Sequence, residues 1–166
     1  LTTGLRELNS WNTTGPELFL EEFNMESVIA STVETFQGSC EKKNIELIIQ
    51  FPPKHYNVYA DKGKIEQVLY NLLDNAIEAT EVLEESERWI DVELARVNQM
   101  LLITIKNSSG YRPKMRKGTI VSSKKDNTFI HGIGLKNVEK SVLKYNGIFE
   151  VGCENNIFEV KIVIFL

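Results

Sequence analysis

Apolar residues recur at three- and four-residue steps in two long stretches of the chain, which is the period of a helix with one buried face. The first stretch runs from Met25 to about Lys43, with Asn24 placed to cap its start. The second runs from Asp61, another capping residue, to about Leu83. Its apolar positions are Ile65, Val68, Leu69, Leu72, Leu73, Ala76 and Ile77. The pattern predicts two amphipathic helices.

Five runs rich in β-branched and aromatic residues predict strands. They are Ile45–Phe51, Trp89–Val97, Leu101–Lys106, Ile148–Cys153 and Ile157–Phe165. Asn98-Gln99 joins the second run to the third as a hairpin turn, and residues 154–156 join the last two runs. A short link at 54–60 follows the first run and could contain extended residues.

A third helix is expected from Gly134 to about Tyr145, and Gly147 suits the C′ position that ends a helix. The order of elements is then helix, strand, helix, two strands, a long connection, helix and two strands. Strands that alternate with separated helices in this way indicate an α/β fold. We expect a two-layer sandwich in which a mixed five-stranded sheet carries three helices on one face.

Two stretches show neither the apolar spacing of a helix nor the composition of a strand. Leucines at helical spacing precede a break at Asn12–Pro16, so residues 1–24 are interpreted as the end of a longer helix and a linker. Residues 25–166 remain as the domain, and the absence of an initial Met indicates a piece of a longer protein.

The connection at about 108–133 holds glycines, serines and lysines without an apolar period. Such a long connection is a functional lid or a disordered segment, and we expect it to be mobile.

Composition narrows the classes of partner. The chain has 166 residues, which suits one domain, and a net charge of −4. Nucleic acid is not expected as a partner, because the chain has no basic field that could hold a phosphate backbone. No apolar run reaches the roughly 20 residues that a membrane helix requires. Cys40 and Cys153 lack metal-ligand spacing, so reduced thiols are expected rather than a zinc site.

Asn71, Asn75 and Glu78 fall together at one edge of the apolar stripe of the second helix, because they are four and three residues apart. An amide at the border of a core needs a hydrogen-bond partner. The two asparagines could cap a nearby loop or contact water. They could instead bind Mg²⁺, which prefers oxygen ligands and usually keeps phosphates and waters as its other ligands.

Gly132 and Gly134 lie where the long connection is expected to enter the third helix. Two glycines let a backbone approach a ligand closely, and the free N–H groups of a helix N-terminus form a phosphate site. The pair is equally compatible with a plain junction between a loop and a helix. Asn137 occupies the third glycine position of the dinucleotide fingerprint, and no Gly-Lys-Ser/Thr sequence of a P-loop occurs.

Taken together, these runs resemble the GHKL group of ATP-binding proteins, which includes gyrase and the histidine kinases. Residues 67–79, QVLYNLLDNAIEA, resemble the N box of histidine kinases, and residues 131–138, HGIGLKNV, resemble their second glycine box. Tyr145-Asn146-Gly147 fits the segment that follows that box. An N box that ends in Ala-Ile-Glu-Ala is most similar to the branch of peptide-sensing, quorum-type kinases. The resemblance covers roughly residues 25–166.

The resemblance implies a Bergerat ATP-binding fold, with ATP between the second helix and the lid. It implies that Asn75 ligates Mg²⁺ and that Asn71 lies beside the phosphates. Gly132 and Gly134 would let the phosphates rest on the helix that begins at Leu135. The start of the chain would be the end of a dimerisation helix, and the histidine that accepts the phosphoryl group would lie upstream.

Two positions differ from the pattern of the family. The first glycine box normally holds adenine through an aspartate, whereas Asn107 stands at that position and only Gly110 follows it. An asparagine oxygen can accept a hydrogen bond from the adenine amino group, but without a charge. Many members carry a lysine near the position of Glu78. Lys124 or Lys125 of the lid could serve instead, or both could belong to a solvated loop.

The implied reaction is transfer of the γ-phosphoryl group of ATP to a histidine on another segment, followed by relay to an aspartate of a response regulator. Asp74 or Glu78 could orient or deprotonate the incoming imidazole. The implied partners are the parent's own dimerisation and phosphoacceptor domain and the response regulator. The parent is expected to be membrane-anchored, with this domain in the cytoplasm. Two alternatives stay open, a serine kinase of the anti-sigma type and a nucleotide-free interaction module.

Overall fold

The structure is a computed structural model that describes residues 18–110, 114–116, 119–121, 128–144 and 146–166, with the backbone alone for the two shortest segments and for 128–134. The helices are α1 (Met25–Lys42), α2 (Lys62–Thr80) and α3 (Thr128–Lys144). The strands are β1 (Leu20–Asn24), β2 (Glu46–Gln50), β3 (Asn57–Asp61), β4 (Trp89–Val97), β5 (Met100–Ser108), β6 (Lys114–Arg116), β7 (Thr119–Val121), β8 (Ile148–Glu154) and β9 (Ile157–Phe165).

The main sheet has five strands in the order β2-β4-β5-β9-β8. β2 runs parallel to β4, and the other neighbours are antiparallel, so the sheet is mixed as predicted. β1 and β3 form a separate antiparallel pair, which places Val58 and Tyr59 of the expected link in a strand. The lid stretch contains a further antiparallel pair, β6 and β7, where the sequence showed no strand pattern. Its predicted mobility stays a prediction.

One face of the sheet and the inner faces of the helices form the core. Along β4, Ile90, Val92 and Leu94 are buried, while the residues between them are half-buried. The cross-strand partners in β5 and β9 continue this face. The apolar stripes of the helices are part of the same buried cluster, which confirms the predicted sandwich with its helices on one face. None of the helices in the described part of the chain has the length and apolarity needed to cross a bilayer.

Both predicted helix caps are present. The Asn24 side chain accepts a hydrogen bond from Ser27 N at 2.9 Å, and the Asp61 side chain accepts one from Lys64 N at 3.1 Å. These bonds satisfy N–H groups that lack an intrahelical partner, and each contributes about 1 kcal/mol. The start of α2 is therefore determined locally, one residue after its cap.

The predicted start of α3 is wrong by six residues. The helix begins at Thr128 rather than at Gly134, so both Gly132 and Gly134 lie inside it. Phe129, Ile130 and Ile133 extend the apolar spacing toward the N-terminus. A glycine costs about 1 kcal/mol relative to alanine in a helix, which is too little to end one by itself.

The predicted role of Gly147 as the C′ residue is also wrong, because Asn146 adopts the left-handed conformation there, with φ 53°. Gly147 is required by space instead. A Cβ at this position would lie 2.6 Å from Val163 O and 2.9 Å from Val142 Cγ1. The glycine therefore lets the end of α3 approach the backbone of β9.

Candidate functional site

The asparagine edge of α2, formed by Asn71 and Asn75, lies at the border between core and solvent. Both side chains are half-buried, whereas Asp74 and Glu78 are exposed. The neighbouring stripe from Ile65 to Thr80 is buried against the sheet and the other helices, which fixes the rotation of α2. The two amides, one turn apart, are therefore presented along a defined edge of the helix.

An aromatic pair holds α2 at the same level. The rings of Phe36 in α1 and Tyr70 in α2 are 4.8 Å apart between centroids and tilted by 48°, a favourable arrangement for two aromatic side chains. Phe36 is buried and Tyr70 is half-exposed. The pair joins α1 to the residue that immediately precedes Asn71, so it restricts movement of the asparagine edge.

Asn107 lies near the end of β5, where its side chain is only 1% exposed. It pairs with Ile90 and with Phe158, and therefore lies on the face of the sheet that the helices cover. Its Nδ2 donates to Ser108 O at 2.9 Å. This bond uses the donor side of the amide and orients the side chain. Oδ1 is the acceptor of the amide and could receive a hydrogen bond from a ligand.

The segment from Asn107 to Gly110 is held against the C-terminal end of α2. A Cβ on Gly110 would lie 3.0 Å from Leu83 Cδ2, so a larger residue there would require the Leu83 side chain to shift. Ser108 Oγ accepts from Trp89 N at 3.1 Å, and Ser109 N donates to Asn156 O at 2.8 Å. The contacts place the end of β5 beside Leu83, three residues after the end of α2.

Arg88 is a structural residue of this region that the sequence did not indicate. Its Nε donates to Leu83 O at 2.8 Å, and its Nη1 donates to Lys43 O at 2.7 Å. Lys43 also forms an ion pair with Glu81. Arg88 thus satisfies carbonyl groups beyond the ends of both α1 and α2. No local pattern marks it, because one of its acceptors is 45 residues away in sequence.

The glycine box does not form the predicted helix N-terminus. Gly132 and Gly134 come after the first four residues of α3, so their N–H groups fall in the part of a helix where intrahelical bonds are made. Leu135, predicted to begin the helix, lies within it and packs half-buried against the core. Lys124 and Lys125 lie outside the described residues. The structure therefore places Asn71 and Asn75 on one edge of α2 and Asn107 on the face of the sheet that the helices cover, whereas the glycine box lies inside α3.

No acidic metal cage accompanies the asparagines. Among the residues that the structure describes, no group of three His, Cys, Asp or Glu side chains could hold a metal ion. Cys40 and Cys153 do not form a disulfide, and Cys40 is buried while Cys153 is half-buried. Burial raises the pKa of the Cys40 thiol, and the nearby Lys43 opposes this rise. The half-buried oxygens on the asparagine edge are those of neutral amides, which suit Mg²⁺ only when a ligand supplies further oxygens.

Comparison with known proteins gives one family. The model of the GHKL domain matches residues 62–165. The adaptive-response sensory kinase SasA of Synechocystis sp. is 30% identical over 121 residues, which cover 69% of this chain and 30% of SasA. The chain thus spans less than a third of that relative's length.

Solved structures share the fold. The catalytic domain of histidine kinase ThkA, in a nucleotide-free form, matches with a TM-score of 0.73 and 24% identity, covering 89% of this chain and 95% of the ThkA chain. Full-length ShkA in complex with AMPPNP matches with a TM-score of 0.73 and 18% identity, covering 96% of this chain and 34% of ShkA. These similarities confirm the fold of histidine kinase catalytic domains.

Proposed function

The chain belongs to the GHKL domain family, and we propose that it is the ATP-binding catalytic domain of a sensor histidine kinase. In this role it binds ATP and presents the γ-phosphoryl group to a histidine that lies outside the chain. The observation that carries the proposal is the pair of half-buried amides, Asn71 and Asn75, one turn apart on α2, together with the Asn107 amide buried on the face of the sheet that the helices cover. The likeness to the sensory kinase SasA and to ShkA, which was solved with the ATP analogue AMPPNP, supports it.

Asn71 and Asn75 fit a magnesium-nucleotide ligand. Mg²⁺ usually takes one or two protein oxygens and fills its other positions with phosphates and waters, and neutral amides avoid adding charge beside phosphates. We assign Asn75 as the ligand and Asn71 to the phosphate side. The ion, when bound, supplies neutralisation of the phosphate charge, which phosphoryl transfer requires together with positioning.

Asn107 fits the adenine amino group. Its Oδ1 can accept from that amino group, and its Nδ2 is held by Ser108 O. The bond lacks the charge that the family's aspartate provides, and charge-assisted bonds are roughly twice as strong as neutral ones. We therefore expect adenine selectivity with weaker nucleotide affinity than in members that carry the aspartate.

Phosphate binding at the glycine box requires α3 to begin later than it does in this structure. For Gly132 and Gly134 to offer free N–H groups, the helix must unwind as far as Leu135. The two glycines lower the cost of this change by about 1 kcal/mol each relative to alanine. We propose that ATP shortens α3, and that the lid at about 108–133, including Lys124 or Lys125, then covers the phosphates.

Asp74 and Glu78 are candidates for contact with the incoming histidine, since both are exposed on α2 one turn apart. A carboxylate there could accept the imidazole proton or orient the ring, and Asp74 is the first to test. The histidine would belong to the parent's dimerisation domain, of which residues 1–24 would be the end and the linker. A response regulator would receive the phosphoryl group, and the membrane-anchored parent would hold this domain in the cytoplasm.

The full-length parent tests the proposal through the chemical stability of the phosphorylated product. After incubation with γ-labelled ATP and Mg²⁺, a phosphohistidine is lost in acid and kept in base, whereas a phosphoserine shows the opposite behaviour. We expect an acid-labile label that disappears when Asn75→Ala is introduced. An acid-stable label would assign the chain to the serine kinases of the anti-sigma type, and the absence of nucleotide binding would favour an interaction module.

A further inference from the structure

The outer face of the main sheet, opposite the helices, has an apolar end. The strand register places four apolar residues in one row across this face, Ala95, Leu102, Val163 and Ile148. A second row beside it contains Val97, Met100 and Phe165. Three of the seven residues are exposed, Val97 at 46%, Ile148 at 42% and Phe165 at 51%, whereas Ala95, Leu102 and Met100 are half-buried and Val163 is only 7% exposed. Contiguous apolar rows with exposed ends mark interaction surfaces more often than scattered residues do.

The rest of the outer face is mainly acidic, although Ile48, Trp89 and Ile157 also lie on it. Across the five strands it carries six carboxylates against two lysines, Lys106 and Lys161. The carboxylates are those of Glu46, Asp91, Glu93, Glu150, Glu154 and Glu159. Both lysines approach the same Glu159 carboxylate, at 4.0 and 3.8 Å. Glu93 and Glu150 have no ion pair within the described part of the chain.

These two carboxylates border the apolar rows directly, and Glu150 lies opposite Lys161 in the strand register. Glu93 is two residues from Ala95 on β4, and Glu150 is two residues from Ile148 on β8. Residues two apart on a strand are roughly 7 Å apart on the same face. A ligand whose apolar side covers the rows would therefore bring its flanking groups within reach of these carboxylates.

We propose that this face docks a basic amphipathic helix of a partner protein. The two rows extend across three to four strands, about 10–15 Å, which matches a helix of two to three turns. Apolar residues at helical spacing would cover the rows, and lysines or arginines beside them would face Glu93 and Glu150. The charge argues against a second copy of this acidic face, and against an anionic membrane, because like charges repel.

A synthetic 18-residue peptide of leucine and lysine at amphipathic helical spacing serves as the probe, followed by fluorescence anisotropy with the complete 166-residue chain. The test variant carries Val97→Thr, Ile148→Thr and Phe165→Thr. Threonine removes the apolar surface, and as a β-branched residue it remains compatible with a strand. Tyr59→Thr, at a 71% exposed aromatic residue on the separate β1–β3 pair, is the control. Thermal melts establish that each variant is folded.

Saturable binding that weakens at least about tenfold in the triple variant, is unchanged in Tyr59→Thr, and decreases with salt would support the docking surface. Equal binding of a leucine–glutamate peptide would overturn it, because charge would then play no part. A dimer in sedimentation that the triple variant dissolves would assign the face to self-association. Binding to anionic vesicles through the same residues would assign it to a membrane. None of these outcomes depends on nucleotide binding.

Discussion

Gly147 gives the sharpest prediction from geometry, because it lies where the end of α3 meets β9. In Gly147→Ala the new Cβ would stand 2.6 Å from Val163 O and 2.9 Å from Val142 Cγ1. Val163 is paired with Ile148 in the β8–β9 ladder, so its carbonyl cannot move without disturbing that pairing. The contact therefore has to be relieved by a shift of α3 itself.

The expected loss of stability is about 1–3 kcal/mol, the usual cost of overpacking a well-packed site. The gain from restricting the unfolded chain, about 0.4–1 kcal/mol, offsets part of it. Gly152→Ala is the matched control, because a Cβ on Gly152 meets nothing within 4 Å. That change should be neutral or stabilising by up to about 1 kcal/mol.

Urea denaturation followed by circular dichroism measures both variants, and a change in midpoint without a change in slope reports stability alone. We expect Gly147→Ala to melt about 2–8 °C below the wild type. Equal midpoints for the two alanine variants would refute the steric argument. Because α3 carries the glycine box, a shifted α3 should also weaken nucleotide binding.

Three further predictions follow from the site. Gly134→Ala should raise the free energy of unfolding by up to about 1 kcal/mol, because alanine favours the helix. It should weaken ATP binding several-fold in calorimetry, since binding requires α3 to unwind at this residue, and an unchanged affinity would contradict that unwinding. Arg88→Ala should lower the free energy of unfolding by about 2 kcal/mol in denaturation, because it leaves carbonyls beyond two helix ends without their charged donor. Arg88→Lys lacks the planar guanidinium and should recover only part of this loss. In the folded chain at pH 8, iodoacetamide should modify Cys153 before Cys40, since Cys40 is 2% exposed and burial raises its pKa; faster reaction of Cys40 in peptide mapping would contradict its burial.

Elements defined by local pattern could be predicted from the sequence. The caps at Asn24 and Asp61 formed as expected, since a capping side chain and the N–H it satisfies are three residues apart. The apolar stripe of α2 was correct in full, and it gave the rotation of the helix and thus the position of the asparagine edge. The hairpins were correct for the same reason, because a turn of positive-φ residues such as Asn155 and Asn156 is a local preference.

Features that depend on distant contacts could not be predicted. Arg88 acts on carbonyls that only the fold brings near, and the fit of Gly147 depends on a strand that follows it by more than ten residues. The start of α3 was misplaced because the prediction put Gly132 and Gly134 at the entry to the helix, although the intrinsic cost of a glycine inside a helix is only about 1 kcal/mol. β5 also extends two residues further than predicted, which places Asn107 inside the sheet rather than after it.

The measurement that tests the central claim most directly is calorimetric titration of the 166-residue chain with ATP, with and without Mg²⁺, beside Asn75→Ala. Asn57→Ala, at an exposed asparagine on β3, is the control. The proposal predicts saturable binding that depends on Mg²⁺, is retained in Asn57→Ala and is lost in Asn75→Ala. Absence of binding at millimolar ATP, or binding that neither Mg²⁺ nor Asn75→Ala changes, would contradict an ATP site on the asparagine edge of α2.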